Sequence, residues 1–302
     1  MKRVLLVHFS QTGQLSRIAR ELTGPLACAD DIELVVEELR PRTPYPFPWP
    51  VRRFLDAMPE SVLLDAPALE PLSEKARGHF DLIIIAYQVW FLAPSGPVTA
   101  FLKSTELLRG RPVVTVVGCR NMWLTAQETV KRLIQEAGGE LRDNVVFTDQ
   151  SGTLASFITT PRWLLTGKRN AFWGLPAAGV SERDIAGAAR FGHALVYALR
   201  GDRERARSPM LAGLGAAKVD PRLIFSERAG SRAFRVWSRI IRLGGRQGSL
   251  LRLPFLALFC IYLVAMILVV VPPSLILQRL LRPLLARKLQ SAKAYFEAPS
   301  GP

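Results

Sequence analysis

Residues 3–16 read Arg3-Val-Leu-Leu-Val-His-Phe-Ser10-Gln-Thr-Gly-Gln-Leu-Ser16, and this stretch decides the fold. Its first half is a continuous apolar run, which is typical of a strand that is buried on both faces. Hydroxyl and amide side chains with one glycine follow, and a helical pattern begins near residue 13. A strand, a short polar loop and a helix in this order predict the first unit of a parallel α/β sheet.

The same alternation continues to residue 200. Four more short apolar runs predict strands at Ile32–Leu39, Phe80–Tyr87, Pro112–Gly118 and Asn144–Asp149. Helical patterns lie near residues 13–23, 95–108, 124–137 and 181–200. Five strands that alternate with helices predict a doubly wound α/β sheet.

Two connections interrupt this alternation. Residues 41–71 contain PRTPYPFPWP and further prolines, so we expect no regular helix or strand interior there. The segment is either a surface crossover or a lid, with Tyr45, Phe47 and Trp49 shaping an apolar entrance. Residues 150–180 form a second irregular stretch, whose aromatic and basic side chains suit either loop packing or the interface belt of a membrane.

The loop after the first strand suits a phosphate group. Hydroxyls and backbone N–H groups at a helix N-terminus bind phosphate dianions. The loop lacks G-x-G-x-x-G, and the sequence contains no G-x-x-x-x-G-K-[ST], which disfavours Rossmann dinucleotide binding and P-loop NTPase activity. A plain helix N-cap is the alternative interpretation.

This loop resembles the flavin mononucleotide (FMN) phosphate loop of flavodoxins and flavodoxin-like NAD(P)H-dependent reductases. The resemblance implies a flavodoxin-like doubly wound five-stranded parallel sheet of order 2-1-3-4-5, with FMN at the carboxyl ends of the strands. It also makes NAD(P)H a candidate electron donor. This sequence departs from the family pattern at Leu15, where Thr or Asn is usual, and Ser16 is the hydroxyl that could replace it.

Two later loops complete the site that the resemblance implies. An aromatic, proline-containing loop begins at Gln88, and in those reductases a similar loop flanks the isoalloxazine ring, so Trp90 and Phe91 are candidate ring neighbours unless they are core aromatics. The loop GCRNMW follows the fourth predicted strand and lines the same crevice. The candidate cofactor-binding residues are Ser10, Gln11, Thr12, Gly13, Gln14, Leu15, Ser16, Gln88, Val89, Trp90, Phe91, Gly118, Cys119, Arg120 and Asn121.

Two of these are the candidate catalytic residues. Arg120 could oppose negative charge on a reduced flavin or bind a substrate oxygen, and Asn121 could hydrogen-bond the ring edge. Cys119 is expected to be a small buried residue rather than a nucleophile, since no histidine is near it in sequence. The three cysteines and three histidines are scattered, so neither a disulfide nor a metal site is expected.

A second resemblance is more specific. The run PFPWP, the loop CRNMW and a basic apolar C-terminal region together look like the dialkylresorcinol condensing enzyme family of flavodoxin-like proteins. That resemblance implies work on long-chain alkyl cyclohexanedione or resorcinol lipids, alongside a ketosynthase and an acyl carrier protein. A flavin would suit the aromatising oxidation of such a ring better than carbon–carbon condensation.

Positive charge is concentrated in the last third of the chain. The 302 residues carry 40 Lys and Arg against 25 Asp and Glu, and residues 201–302 hold 17 of the former and 5 of the latter. The net charge is +15 overall and +12 in this third. We therefore expect a near-neutral flavodoxin-like domain over 1–200, a basic amphipathic linker or helix over 201–252, and a membrane segment with a basic tail over 253–302.

The membrane expectation depends on two patterns. Residues 253–271 read LPFLALFCIYLVAMILVVV, and about 20 apolar residues cross a bilayer as a helix. A buried core helix is one alternative; a re-entrant or interfacial placement is another, because Pro272-Pro273 should end or kink the helix. Upstream, six arginines from Arg228 to Arg246 fall on one face of a helix that should end at Gly244-Gly245. That face lies either on anionic lipid headgroups or in solvent, with the apolar face packed on the domain.

Together these patterns predict an FMN oxidoreductase at the cytoplasmic face of the inner membrane, with a single C-terminal membrane segment near 253–271. Its substrate would be lipophilic: an aromatic or cyclohexanedione lipid, or a quinone-like molecule. No nucleic acid is expected, because the arginine stripe is joined to a membrane segment. The alternative is a non-catalytic membrane-associated scaffold that kept the fold and lost FMN, with Leu15 as its main support.

Overall fold

A computed structural model of the chain describes residues 1–270, 273 and 286–301. At its centre is a sheet of six strands: β1 (Lys2–His8), β2 (Ile32–Glu38), β3 (Leu82–Trp90), β4 (Ala93–Pro94), β5 (Pro112–Cys119) and β6 (Glu140–Thr148). Five of them pair in parallel in the order β2-β1-β3-β5-β6, and β4 pairs antiparallel with the end of β3. The sheet therefore has six strands rather than the predicted five, because a two-residue hairpin strand is too short to produce a sequence pattern.

The helices are α1 (Gln14–Ala27), α2 (Val51–Asp56), α3 (Met58–Val62), α4 (Gly96–Ser104), α5 (Leu124–Glu136), α6 (Gly152–Thr166), α7 (Glu182–Ala186), α8 (Ala189–Arg200), α9 (Ile224–Arg242) and α10 (Leu253–Ala265). A π-helical turn, Met266–Val270, continues α10, and residues 286–297 are also helical. Helices cover both faces of the sheet: α1 and α8 pack on one face, and α4 and α5 on the other. The predicted doubly wound α/β architecture is confirmed.

Both segments that were expected to be irregular contain helices. Within residues 41–71, α2 and α3 form, with Pro59 in the first turn of α3, where its missing N–H is not needed. The 15-residue α6 occupies half of residues 150–180 and contains Pro161. The prediction of irregular structure was therefore wrong for these three helices. The predicted helix over 181–200 is divided into α7 and α8, and Ser181 caps α7 by accepting a hydrogen bond from the Asp184 N–H (3.0 Å).

The chain beyond residue 200 packs on both sides of the sheet. Met210 and Leu211 join the core on the α1 side, and their N–H groups donate to the buried carboxylate of Asp143 (2.8 and 3.0 Å). Residues 286–301 return to the same strand edge, where Phe296 is buried and the Ser300 hydroxyl donates to Asp143 (3.0 Å). Residues 210–211 and 296–300 are thus held against the α/β core.

The predicted basic amphipathic helix is present as α9. Phe234, Trp237 and Ile241 pack with Met58 of α3 and Phe259 of α10. Most of the arginine stripe is exposed: Arg228, Arg232, Arg235, Arg239 and Arg246. The apolar face therefore packs on the protein, as one of the two interpretations expected.

The apolar helix beyond α9 is exposed over most of its surface. Leu250–Val269 is long and apolar enough to cross a membrane, a criterion that core helices of soluble proteins also meet, and 17% of its most apolar part is buried. Pro272 and residues 274–285, to which the expected kink and basic tail belong, lie outside the described residues.

Candidate functional site

The loops that follow β1, β3, β5 and β6 meet in one cleft at the carboxyl ends of the parallel strands. In open α/β sheets this edge, beside the point where the strand order reverses, is where ligands bind. The cavity measures about 150 Å³. Its walls come from four loops, from α2 and from α6, so distant parts of the sequence contribute to it.

The loop between β1 and α1 is shaped to present backbone N–H groups. Gly13 has φ 78°, in the left-handed region that favours glycine. The Ser10 hydroxyl accepts a hydrogen bond from the Leu15 N–H (3.1 Å), and the Gln88 side chain accepts one from the Gln11 N–H (2.8 Å). No described residue accepts a hydrogen bond from the N–H groups of Thr12 and Gly13. Two free donors at a helix N-terminus suit a phosphate or another anion.

Leu15 and Ser16 differ from what the family pattern implies. The Leu15 side chain is buried in the core, and its terminal carbon lies 3.0 Å from the position a Cβ would take on Gly118. Its backbone N–H is used by Ser10, so this position packs the loop against β5. Ser16 does not line the cleft. The placement of Ser16 does not favour it as the replacement for the hydroxyl missing at residue 15, and that role stays a prediction.

An aromatic cluster forms one wall of the cleft. The Trp90 ring meets Tyr45 and Trp49 edge-on, with centroids 4.9 and 5.7 Å apart, and it contacts Phe9 at 5.9 Å. Burial raises the pKa of Tyr45 to about 12, so its phenol stays neutral. Residues 45–62, called the lid below, thus cover the cleft, and the apolar-entrance interpretation of this segment fits the structure better than a plain surface crossover.

Phe91 marks the tight turn between β3 and β4. Its φ of 50° and that of Leu92, 63°, are left-handed, a conformation that costs energy for residues other than glycine. The turn directs the Phe91 ring against Phe54 of the lid (centroids 4.9 Å apart) and Phe234 of α9 (6.2 Å). Phe91 lines the cleft and connects it to the lid and the C-terminal helices.

Arg120 supplies a positive charge to the cleft. Its guanidinium stacks over the Phe157 ring of α6 at 4.1 Å and forms no ion pair with a carboxylate of the described residues. Burial lowers the Arg120 pKa to about 10, which leaves the side chain charged at neutral pH. A half-buried cation that no carboxylate of the described residues pairs with favours a ligand that is, or becomes, anionic.

The two neighbours of Arg120 serve other roles. Burial raises the pKa of the Cys119 thiol well above its usual range, which disfavours the thiolate that a nucleophile needs. The Asn121 side chain donates to the Thr153 hydroxyl (3.2 Å), and its oxygen is buried without a donor. Asn121 does not line the cleft and ties this loop to α6, while its expected hydrogen bond to a ring edge stays a prediction.

Asp149, at the end of β6, holds the other wall together. Its carboxylate accepts hydrogen bonds from the N–H groups of Ser151 and Gly179 (both 2.7 Å) and from the Thr160 hydroxyl (3.2 Å). Gln14 adds a pair of hydrogen bonds to the backbone of Val180 (3.0 and 3.2 Å). These contacts fix α6 and the loop before α7 beside the phosphate-type loop.

Most of the candidate residues meet at this cleft. Eleven of the fifteen line it: Gln11, Thr12, Gln14, Leu15, Gln88, Val89, Trp90, Phe91, Gly118, Cys119 and Arg120. Ser10, Gly13, Ser16 and Asn121 do not. Sequence reasoning missed Asp149, Thr160, Leu164 and Gly179 as lining residues, and it assigned Trp163 to a loop. Asp149 could have been found, because it ends the last predicted strand.

No group of His, Cys, Asp and Glu that could hold a metal ion occurs among the residues with described coordinates.

The fold is similar to that of solved flavodoxin-like flavoproteins. A flavoprotein from Lactobacillus acidophilus in complex with FMN is 17% identical, with a TM-score of 0.40, over 48% of this chain and 93% of its own. A flavoprotein from Bacteroides eggerthii is 19% identical, with a TM-score of 0.39, over 48% and 88%. A flavodoxin, WrbA-like protein from Agrobacterium tumefaciens is 12% identical, with a TM-score of 0.39, over 67% and 99%. No family model matches the chain, and no curated protein matches it.

Proposed function

We propose that this protein is a membrane-associated, FMN-dependent oxidoreductase that acts on a lipophilic substrate. The observation that carries the proposal is the convergence of three loops on one cleft: a loop with free backbone donors, an aromatic loop and a loop with an unpaired arginine. A phosphate, a flat aromatic ring and a developing negative charge are the three features that FMN would present to them.

The residues of the cleft fit the chemistry of FMN. The N–H groups of Thr12 and Gly13 would hold the phosphate. The Trp90 wall would cover the ring, and the Gln11 side-chain oxygen, which is buried without a donor, could accept a hydrogen bond from a ring or ribityl group. Arg120 would lie where it opposes negative charge.

The volume of the cleft requires movement. Its 150 Å³ is less than the roughly 300–1,000 Å³ of typical small-molecule pockets. A cofactor of this size could enter only if the lid moved away from α6, which it touches through the hydrogen bond from the Trp49 N–H to the Leu164 carbonyl (2.8 Å). We therefore infer that the structure corresponds to a closed form of the cleft.

FMN, when bound, would supply hydride-transfer chemistry, so no side chain need act as a nucleophile. The part played by the chain is to exclude water and to stabilise charge. Trp49, Trp90 and Trp163 close the cleft against solvent. The Arg120 cation would favour a reduced, negatively charged ring, and the low polarity around it strengthens that attraction.

The proposal also names a substrate class, the proteins that would act beside this one, and an electron donor. An aromatic or cyclohexanedione lipid, or a quinone-like molecule, suits the aromatic lid, and a cyclohexanedione would lose one hydride and one proton to become a resorcinol. In dialkylresorcinol-type lipid biosynthesis a ketosynthase and an acyl carrier protein would act beside it. NAD(P)H is the proposed donor for a quinone-like acceptor. The exposed arginines of α9 would hold the protein on anionic lipids at the cytoplasmic face of the inner membrane.

Spectroscopy of the purified full chain tests the proposal. We expect yellow protein, or protein that takes up added FMN, with an absorbance band near about 450 nm that belongs to the cofactor. Under anaerobic conditions a long-chain alkyl cyclohexanedione should bleach this band if the enzyme aromatises such rings. If it instead reduces quinones, NAD(P)H should bleach the band and a long-chain quinone should restore it. Protein that binds FMN but reacts with none of these would refute the substrate class alone.

A second candidate function is a membrane-associated scaffold that no longer binds FMN. The burial of Leu15 and the small cavity favour it, because the loop lacks one hydroxyl and the cleft is closed. Colourless protein that cannot be reconstituted with FMN, despite a native circular dichroism spectrum, would select this candidate over the enzyme.

A further inference from the structure

Helix α6 buries two hydroxyl side chains and exposes two large apolar ones. Its fully buried side chains are Ser156 and Thr159, and Thr160 is hydrogen-bonded to Asp149. Its outer face is apolar: Leu154 is 63% exposed and Ile158 is 55% exposed. A helix on the surface of a soluble protein shows the opposite arrangement, with apolar side chains inward.

The outer face of α6 continues as a stripe. Leu154, Ile158, Pro161 and Leu165 are spaced four, three and four residues apart, so they lie along one side of the helix. Arg162 is the only charged residue in α6, and its guanidinium stacks on Phe172 at 4.1 Å. Leu154 and Ile158 are exposed and Leu165 is half-buried, so this side of α6 presents apolar surface that an apolar partner would cover.

The lid joins this stripe to α10. On one side, the Trp49 N–H donates to the Leu164 carbonyl of α6 (2.8 Å). On the other, the Arg52 guanidinium donates to the Gly248 carbonyl (2.9 Å), just before α10. Exposed apolar side chains continue along the junction and α10: Val51, Leu250, Leu251, Leu258, Ile261, Val264 and Leu268. Large exposed apolar surfaces mark interaction sites.

Cations and a tryptophan accompany this apolar surface. Lys168 is exposed directly after α6, and Trp173 follows it with 93% of its surface exposed. The arginine stripe is also exposed, on the side of α9 opposite the one that packs on α10. Tryptophan and basic side chains flanking an apolar surface match the headgroup layer of an anionic bilayer.

The contacts of residues 286–301 place them on the same side of such a bilayer as the α/β core. The Ser300 hydroxyl accepts a hydrogen bond from the Asn144 N–H of β6 (2.7 Å), and the Glu297 carboxylate accepts one from the Val219 N–H (3.1 Å). The chain that follows α10 thus ends on the α/β core from which it departed. One face of α10 also packs on α9, through Leu256 and Phe259. A helix that crossed to the other side once would carry the C-terminal residues with it.

The geometry points to a monotopic membrane-binding surface: α6, the lid and α10 together seat the mouth of the cleft on one leaflet of an anionic phospholipid bilayer. This inference rests on the proposed membrane association and changes its form, from a single crossing to one-sided attachment. A lipophilic molecule would then pass from the leaflet into the cleft between α6 and the lid without entering water.

Depth-dependent quenching tests the surface. One cysteine would be introduced at Ile158 of α6, Ile261 of α10 or, as a control, exposed Tyr197 of α8, and labelled with a fluorophore in the full chain carrying Cys28→Ser and Cys260→Ser. The same chain without the introduced cysteine measures any labelling of the remaining Cys119. In vesicles of phosphatidylcholine and phosphatidylglycerol containing spin-labelled lipid, we expect quenching at 158 and 261 by at least twofold and none at 197. Quenching at 261 alone would overturn the inference and leave membrane association intact. Quenching at neither position would refute membrane association itself. FMN binding, measured in detergent on the same samples, would test the oxidoreductase proposal separately.

A second measurement tests the one-sided arrangement. Ser291, in the C-terminal helical residues 286–297, is exposed. In sealed vesicles with the α/β core outside, a membrane-impermeant maleimide should react with Ser291→Cys as completely as with Tyr197→Cys. Reaction at 291 only after detergent is added would show that the chain crosses the bilayer and would overturn the inference.

Discussion

Replacing Arg252 should loosen the lid and lower the stability of the protein. Arg252 is 1% exposed and lies immediately before α10. Its guanidinium donates to Asp56 Oδ1 (2.9 Å) and to both oxygens of Glu60 (2.8 and 3.2 Å), and its Nε donates to the Gly245 carbonyl (2.9 Å). One buried arginine thus joins both lid helices to the start of α10.

The magnitude follows from the burial of this group. In Arg252→Met the carboxylate of Asp56 loses its cation and that of Glu60 keeps only Arg242 at 3.7 Å, and removing one partner of a buried ion pair costs about 3–5 kcal/mol. At roughly 2–4 °C per kcal/mol for a chain of this size, the melting temperature should fall by about 10 °C. Thermal unfolding followed by circular dichroism in detergent micelles measures this change. The exposed Arg246→Met is the matched control and should stay within about 0.5 kcal/mol of the parent.

A rescue experiment separates unpaired charge from lost packing. Because the cost arises from carboxylates that have lost the buried cation between them, Arg252→Met combined with Asp56→Asn and Glu60→Gln should recover most of the stability. Trypsin should also cut faster after Arg53 in the single variant, since lid opening becomes easier, and at the parent rate in the triple one. A triple variant as unstable as the single variant would refute the reasoning, because the loss would then come from packing.

Three further predictions concern the cleft and its support. Thr12 lines the cleft, and its hydroxyl could donate a further hydrogen bond to the phosphate beside its own N–H. Thr12→Ala removes this hydroxyl and should weaken FMN binding about tenfold or more, because a hydrogen bond to a charged group contributes about 1.5–3 kcal/mol, whereas Ser16→Ala should bind like the parent. A titration of flavin fluorescence compares the two variants, and equal losses would contradict the placement of the phosphate. Leu15→Thr should lower the free energy of unfolding by about 2–4 kcal/mol without tightening FMN binding, since the side chain packs on Gly118; tighter binding in the same titration would show that residue 15 faces the phosphate. Burial raises the pKa of Glu227 from 4.5 to about 7, so the folded protein keeps a proton that the unfolded chain has released, and stability should fall by up to about 3 kcal/mol between pH 5 and pH 8. Urea unfolding should show this slope in the parent and not in Glu227→Gln; the same slope in both would assign it to another group.

The parallel strands and most of the cleft could be predicted from the sequence. Buried parallel strands are continuous apolar runs, so β1, β3 and β5 were recognisable without tertiary information. The carboxyl ends of parallel strands share one edge, so the loops after them had to meet. That geometric necessity is why residues as distant as Gln11, Gln88 and Arg120 line one cavity.

The remainder depends on contacts that leave no local pattern. Helix α6 contains β-branched residues and a proline, and its two buried side chains are the hydroxyls Ser156 and Thr159. The sequence therefore has no apolar periodicity that would predict a helix there. The return of the C-terminal region depends on one buried carboxylate, Asp143, which accepts hydrogen bonds from residues far along the chain. Leu15 looked like a lost phosphate ligand, and only the packing against Gly118 shows its use in the core.

The aromatic cluster also gives the protein its own optical reporter. Trp49, Trp90 and Trp163 line the cleft, and flavins absorb in the range where tryptophan emits. A flavin bound there would accept their excitation energy, so the emission of the unlabelled protein should dim as the cofactor binds and recover as it leaves. Trp173, almost wholly exposed beside α6, would instead shift its emission to shorter wavelength on contact with a less polar medium. Cofactor occupancy and surface contact could thus be followed together, by wavelength, in one unmodified sample.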